Sequence, residues 1–158
     1  MSPIEIYLRN HEAAARAGYD LFRRAATNQR RKPYAAELSA LASEVREDLG
    51  ALRRLMRERG ISPDPVLGTA LRLGERIGRL KPNGHLLSRA PLSDLIEVEG
   101  LLDAVRAKWA GWHALVAAGG DNWGDSVDLN ELIARADRQI ERLTALHRTA
   151  AVEVLQPH

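Results

Sequence analysis

The sequence predicts an all-α four-helix bundle in which a long helical crossover joins the second and third long helices. Three observations carry this expectation. Apolar residues recur every three or four positions through four long stretches, the spacing of one helix face. Cap signals and Gly or Pro breaks punctuate the chain between those stretches. About 30 residues separate the second stretch from the third, too many for a hairpin and suited to a connection that runs back along the bundle.

The segment from Leu92 to Ala118 is the piece the others are built against. Leu95, Val98, Leu102, Val105, Trp109, Trp112 and Val116 form one stripe on a helix about 40 Å long. Two of the chain's three tryptophans lie on that stripe. A stripe so bulky must be buried, so Trp109 and Trp112 are both expected in the core.

The first helix opens on Ser2-Pro3-Ile4-Glu5. Ser2 caps, Pro3 fits the first helical position, and Glu5 completes a capping box. The helix runs to about Thr27, with Ile4, Leu8, His11, Ala15, Gly18, Phe22 and Ala25 on one face. Ala15 and Gly18 leave room for a close neighbour, such as the Trp-bearing helix. A polar turn before Pro33 leads to the second helix, Tyr34 to Arg59, which carries Leu38, Leu41, Val45, Leu49, Leu52, Leu55 and Met56. Gly60 takes the left-handed conformation that stops it.

Between Ile61 and Pro91, Asp64-Pro65 starts a shorter helix reaching about Leu80. Its packed residues are Val66, Ala70, Leu73 and Ile77, with Gly74 and Gly78 permitting close approach. Pro82-Asn83-Gly84 turns the chain and Pro91 opens the third long helix, which ends at Gly119-Gly120. Asp128-Leu129-Asn130-Glu131 caps the fourth, whose apolar face is Leu129, Leu132, Ile133, Ala136, Ile140, Leu143, His147, Ala150 and Val154. The whole chain, 1–158, reads as a single domain.

Composition narrows the function classes. There is no Cys among the 158 residues, so disulfides and thiolate chemistry are excluded. No apolar run is long enough to span a membrane. The opening carries Glu5 rather than a long apolar core, and a cytoplasmic protein is expected. The net charge is +2, with 20 Arg and three Lys. The basic clusters at Arg30-Arg31-Lys32, Arg53 to Arg59 and Arg72 to Lys81 read as solvated helix faces, without a recognition helix or stacking platform, so no nucleic acid partner is expected. Ser39, Ser43, Ser62, Ser88, Ser93 and Ser126 stand in no nucleophile motif.

The opening YLRNHEAAARAG, with PDP after the second helix, resembles a group of uncharacterised ferritin-like proteins from actinobacteria. The helix order also looks like the ferritin-like four-helix-bundle superfamily. The resemblance implies that fold and no chemistry of its own. Di-iron members of the wider superfamily take one Glu from each of two helices and Glu-x-x-His from each of the other two. Here Glu47 stands at the imidazole position after Glu44, and Thr144 stands there after Glu141. Glu12 and Glu97 or Glu99 are the single carboxylates of the first and third helices.

Axial levels in such a bundle bring Glu44, Glu99 and His147 near one another, the candidate mononuclear metal set. A weaker location groups His11 with Asp48 and His113. The same residues serve equally as interior ion pairs, for example Asp48 with Arg106 or Glu44 with His147. The leading expectation is a non-catalytic bundle, not an enzyme and without a cofactor, that acts through self-association as a homodimer or through a protein partner. The alternatives are a divergent metal-binding protein or metal-dependent enzyme, and a binder of a small apolar ligand in the groove left by Ala15, Gly18 and Gly74.

Overall fold

The computed structural model describes residues 1–65, 90–119, 123 and 126–156. Four helices make up almost all of it: α1 (Pro3–Asn28), α2 (Ala35–Glu58), α3 (Pro91–Gly119) and α4 (Leu129–Leu155). No strand occurs among the described residues. The crossover helix expected from Asp64 to Leu80, with Gly74 and the Pro82 turn, lies outside them from residue 66 onward.

The ends form as their residues dictate. Ser2 accepts from the Glu5 amide while Glu5 accepts from the Ser2 amide, the reciprocal capping box. Gly60 sits at φ 66°. That left-handed residue lets the amides of Gly60 and Ile61 turn back to the carbonyls of Arg57 and Met56, and Ile61 folds into the core beyond it. Asp128 accepts from the amides of Asn130 and Glu131 at the start of α4.

Cross-helix partners fix the directions. Glu12 meets Arg53, so α1 and α2 are antiparallel. Gln29 meets Glu97, Gly18 faces Ala104 and His11 lies on Gly111, so α1 and α3 are antiparallel. Glu99 meets His147 and Trp109 meets Asp137, so α3 and α4 are antiparallel. It follows that α2 and α3 run parallel. Their facing termini lie at opposite ends of the bundle, and the connection between them must cover its length, about 36 Å for a 24-residue helix.

The helices follow one another around the bundle as α2, α1, α3 and α4. The backbones approach closely at α1–α2, α1–α3 and α3–α4. The α2–α4 seam is wider, and long side chains bridge it: Arg142 reaches Glu37 and Glu44, and Arg135 reaches Glu47 and Asp48. At one end of the bundle, Lys32 in the first turn spans Asp94 and Glu153. At the other, the buried Trp123 donates its indole N–H to the Leu115 carbonyl, with the Arg59 guanidinium 4.1 Å above the ring. A Cβ at Gly119 would run into that indole, so the Trp123 ring packs against a residue with no side chain.

Trp112 is buried as expected, but Trp109 is only half-buried. Its indole N–H bonds Asp137, an exposed carboxylate 2.8 Å away, and its ring stacks on His113 at 4.1 Å. Both partners draw it to the rim of the α3–α4 seam.

The apolar interior divides into two clusters. One gathers Phe22, Leu38, Leu41, Val45, Leu101, Val105 and Leu143. The other gathers Leu8, Leu52, Leu55, Met56, Trp112, Leu115 and Leu132. The level between them is where the candidate site lies.

Candidate functional site

A polar layer crosses the bundle between the two apolar clusters. Asp48 of α2 is 1% exposed and Gln139 of α4 is fully buried. Lys108 of α3 reaches across the diagonal, and its ammonium donates to Asp48 Oδ2 and to Gln139 Oε1. The Gln139 amide donates in turn to Asp48 Oδ2 at 3.2 Å and to Glu44 Oε2 at 3.1 Å. Arg135 Nη1 stands 3.2 Å from Asp48 Oδ1, an ion pair without hydrogen-bond alignment.

Each group in the layer sits on an otherwise apolar stripe. Asp48 follows Val45 and precedes Leu52, Gln139 lies between Ala136 and Leu143, and Lys108 lies between Val105 and Trp112. Burial pushes the Lys108 ammonium below its ordinary value, with the Asp48 carboxylate pulling the other way. Burial raises Glu44, but hydrogen bonds from Arg142 and Gln139 outweigh it and hold the group below the usual carboxylate range.

A cavity of about 290 Å³ adjoins this layer. Small residues make it: Ala14, Ala15 and Gly18 on α1 face Ala104, Ala107 and Gly111 on α3. Phe22, Val45, Leu49, Leu52 and Leu115 supply the apolar walls, and Asp48 and Lys108 belong to the floor. The lining runs out to the exposed residues Asn10, Ala14 and Ala107, so the space opens between α1 and α3.

His11 stands at this seam. Its ring lies 4.3 Å from that of Tyr7, and a Cβ on Gly111 would come within 2.8 Å of it. Burial pushes His11 below its ordinary value, favouring the neutral imidazole. Trp112, a lining residue 4% exposed, keeps its buried indole N–H without an acceptor among the described residues.

The sequence candidates are distributed as follows. His147 Nε2 and Glu99 Oε1 come together at 3.1 Å across the α3–α4 seam. Glu44 bonds Arg142 and Gln139 across the α2–α4 seam instead. Asp48 pairs with Lys108 and Arg135, while Arg106 pairs with Asp103. His11 packs on Tyr7 and Gly111, and His113 on Trp109. Glu12 is fully buried between Arg16 and Arg53, each 2.8 Å away. Glu97 accepts from Asn28 and Gln29.

The carboxylates thus meet cations and amides on separate seams. Among the described residues no group of three or more His, Asp or Glu is gathered to hold a metal ion. At the middle of the bundle the Lys108 ammonium donates to the Asp48 carboxylate and the Gln139 amide oxygen, and that donor set does not fit a pair of irons.

Sequence reasoning found Ala15, Gly18, Asp48 and Glu44 but passed over Lys108, Gln139 and Arg135. The available signal was positional: Lys108 is one of three lysines, four residues before Trp112, and Gln139 interrupts the core spacing of α4. Compared with protein-family models, curated proteins and solved structures, the chain gives no match. No helix among the described residues is long and apolar enough to cross a membrane.

Proposed function

We propose that this bundle binds a small, mostly apolar molecule in the space between α1, α2 and α3. The single observation that carries the reading is the 290 Å³ cavity between the small-residue faces of α1 and α3. A void of about 150 Å³ lined by aliphatic and aromatic groups already accepts benzene in another helical protein. Apolar space left unfilled weakens a fold in proportion to its volume, and a guest recovers that loss. The floor also carries polar groups at defined positions, the combination that orients a ligand in an otherwise greasy site. Pairing of α1 with α2 and of α3 with α4, joined by a connection spanning the bundle, supports a ferritin-like architecture used as a scaffold for this space.

The test is thermal unfolding with toluene or indole as the probe. At ten times Kd, such a guest should raise the midpoint by about 3–6 °C, from roughly 1.4 kcal/mol of linkage. Ala15→Leu, which extends a side chain into the cavity, should remove the shift. No shift with any neutral apolar probe, or an equal shift in Ala15→Leu, would remove the reading.

A second reading is self-association as a homodimer, favoured by a different observation. Near the end where α3 begins and α4 finishes, Leu92, Ile96, Val152 and Leu155 are all exposed. Closed twofold pairing with a second copy would cover them. Sedimentation equilibrium should then give a dimer at micromolar concentration, and Ile96→Glu with Val152→Glu should give a monomer. A wild-type monomer across that range ends this reading.

A further inference from the structure

We infer that Lys108 is a covalent docking point for an apolar aldehyde, held on its side-chain nitrogen as a protonated imine with the tail in the cavity between α1 and α3. The inference rests on the cavity reading above and adds the chemical class of the guest.

Lys108 brings together what imine formation needs. Its side chain is 12% exposed and lines a space walled mainly by Ala, Leu, Val and Phe groups. Its ammonium donates to Asp48 Oδ2, so a proton acceptor already touches the nitrogen. Asp48 is itself 1% exposed, and burial of both partners favours the neutral amine and acid over the separated ions. The same burial, with the Arg135 cation nearby, holds the ammonium below its ordinary value. A desolvated lysine beside a second cation is an activated amine. Lys32 supplies the contrast. It is also paired with carboxylates, Asp94 and Glu153, but it lies outside the cavity, and its bond to Glu153 pushes it above its ordinary value.

The step balances with these groups alone. The ammonium gives one proton to Asp48, and the nitrogen lone pair forms a C–N bond to the aldehyde carbon as the carbonyl π electrons move to oxygen. A second proton passes from nitrogen to that oxygen, giving a neutral carbinolamine. Asp48 then returns its proton to the hydroxyl, the C–O bond breaks, water leaves and the nitrogen lone pair closes the C=N bond. The product carries the same single positive charge as the ammonium, and its one N–H stays on Asp48. The ion pair of the layer is therefore kept. An aldehyde fits better than a ketone, because Asp48 and Gln139 hold the nitrogen at the floor and the cavity offers one direction for a carbon substituent.

Benzaldehyde is the probe, since a void of about 150 Å³ already accepts benzene. The full chain is incubated with it and sodium cyanoborohydride near neutral pH, which reduces the imine to a stable benzylamine, and the adduct is mapped by peptide mass spectrometry. Lys108 is one of three lysines, so the assignment is direct. Labelling of Lys108 should be about tenfold or more faster than that of Lys32, a modest gain for a held reactant. It should saturate with benzaldehyde and be slowed by excess toluene. In Ala15→Leu it should fall to roughly the Lys32 rate, with Lys108 itself unchanged. Labelling of Lys108 no faster than Lys32 overturns the aldehyde assignment, and if toluene still raises the unfolding midpoint the cavity reading stands. Fast labelling that neither toluene nor Ala15→Leu reduces also overturns it, because the aldehyde would then reach Lys108 from outside the cavity. Absence of both selective labelling and the toluene shift removes the aldehyde assignment and the cavity reading together.

Discussion

Asp48→Ala should cost the fold about 3–5 kcal/mol, the range for breaking a buried ion pair from one side. The reason is what stays behind. Lys108 would keep only the Gln139 carbonyl oxygen as partner, inside a layer closed by apolar clusters above and below. The Gln139 amide would lose one of its two acceptors. Arg135 is better placed, because Glu47 and Glu131 remain within reach at the wider seam. Asp48→Asn should fall between, since the amide oxygen still accepts from Lys108 but the charge is gone. The double variant Asp48→Leu with Lys108→Met should recover most of the loss, because an apolar pair needs no compensation. Urea unfolding of the four proteins measures this directly. A loss under 1 kcal/mol for Asp48→Ala would mean that Lys108 leaves the interior for solvent at little cost, and the polar layer would not be a fixed feature of the floor.

The difference between Asp48 and its neighbours explains how far the sequence could be read. Helix limits were legible because they are local: Ser2 with Glu5, Gly60, and Asp128 act on amides within a few residues of themselves. The parallel run of α2 and α3 was legible from the length of chain between them. Levels along the bundle were legible too, and they brought His147 to Glu99. Rotation of each helix about its own axis was not. Glu44 and His147 share a level within a turn, yet they serve different seams of α4, and no one-dimensional spacing separates those cases. The same gap misplaced Asp48, whose partner is Lys108 across the diagonal rather than Arg106. Trp109 failed for a related reason. Its position on the apolar stripe predicted burial, but an indole has a polar N–H, and the exposed Asp137 supplied its acceptor at the rim. The cavity was half legible. Ala15 and Gly18 announce a missing volume on α1, while the opposing Ala104, Ala107 and Gly111 become meaningful only once α3 is seated against them.

Phe22→Ala should be among the most damaging single truncations in the apolar core, at about 3–5 kcal/mol. Phe22 is the chain's sole phenylalanine and is fully buried. It belongs to the larger apolar cluster and at the same time walls the cavity, so its removal joins new empty space to old. Collapse is the usual route by which a truncated core recovers some stability. Here the opposing walls are Ala15, Gly18 and Ala104, whose side chains are too short to move into the gap. The helix backbones are also held apart by their other contacts, among them Glu12 with Arg53 and Gln29 with Glu97. The loss should therefore fall toward the upper end of the range, a drop of about 6–20 °C in Tm for a domain of this size. Trp109→Ala provides the contrast: its larger ring is only half-buried, and rim contacts can be replaced by water, so the loss should be the smaller of the two. If Trp109→Ala proved the more destabilising, the rim position of that indole would be wrong. If Phe22→Ala cost under about 1.5 kcal/mol, α1 and α3 would be free to close on each other, and the cavity would not be the preformed space that ligand binding requires.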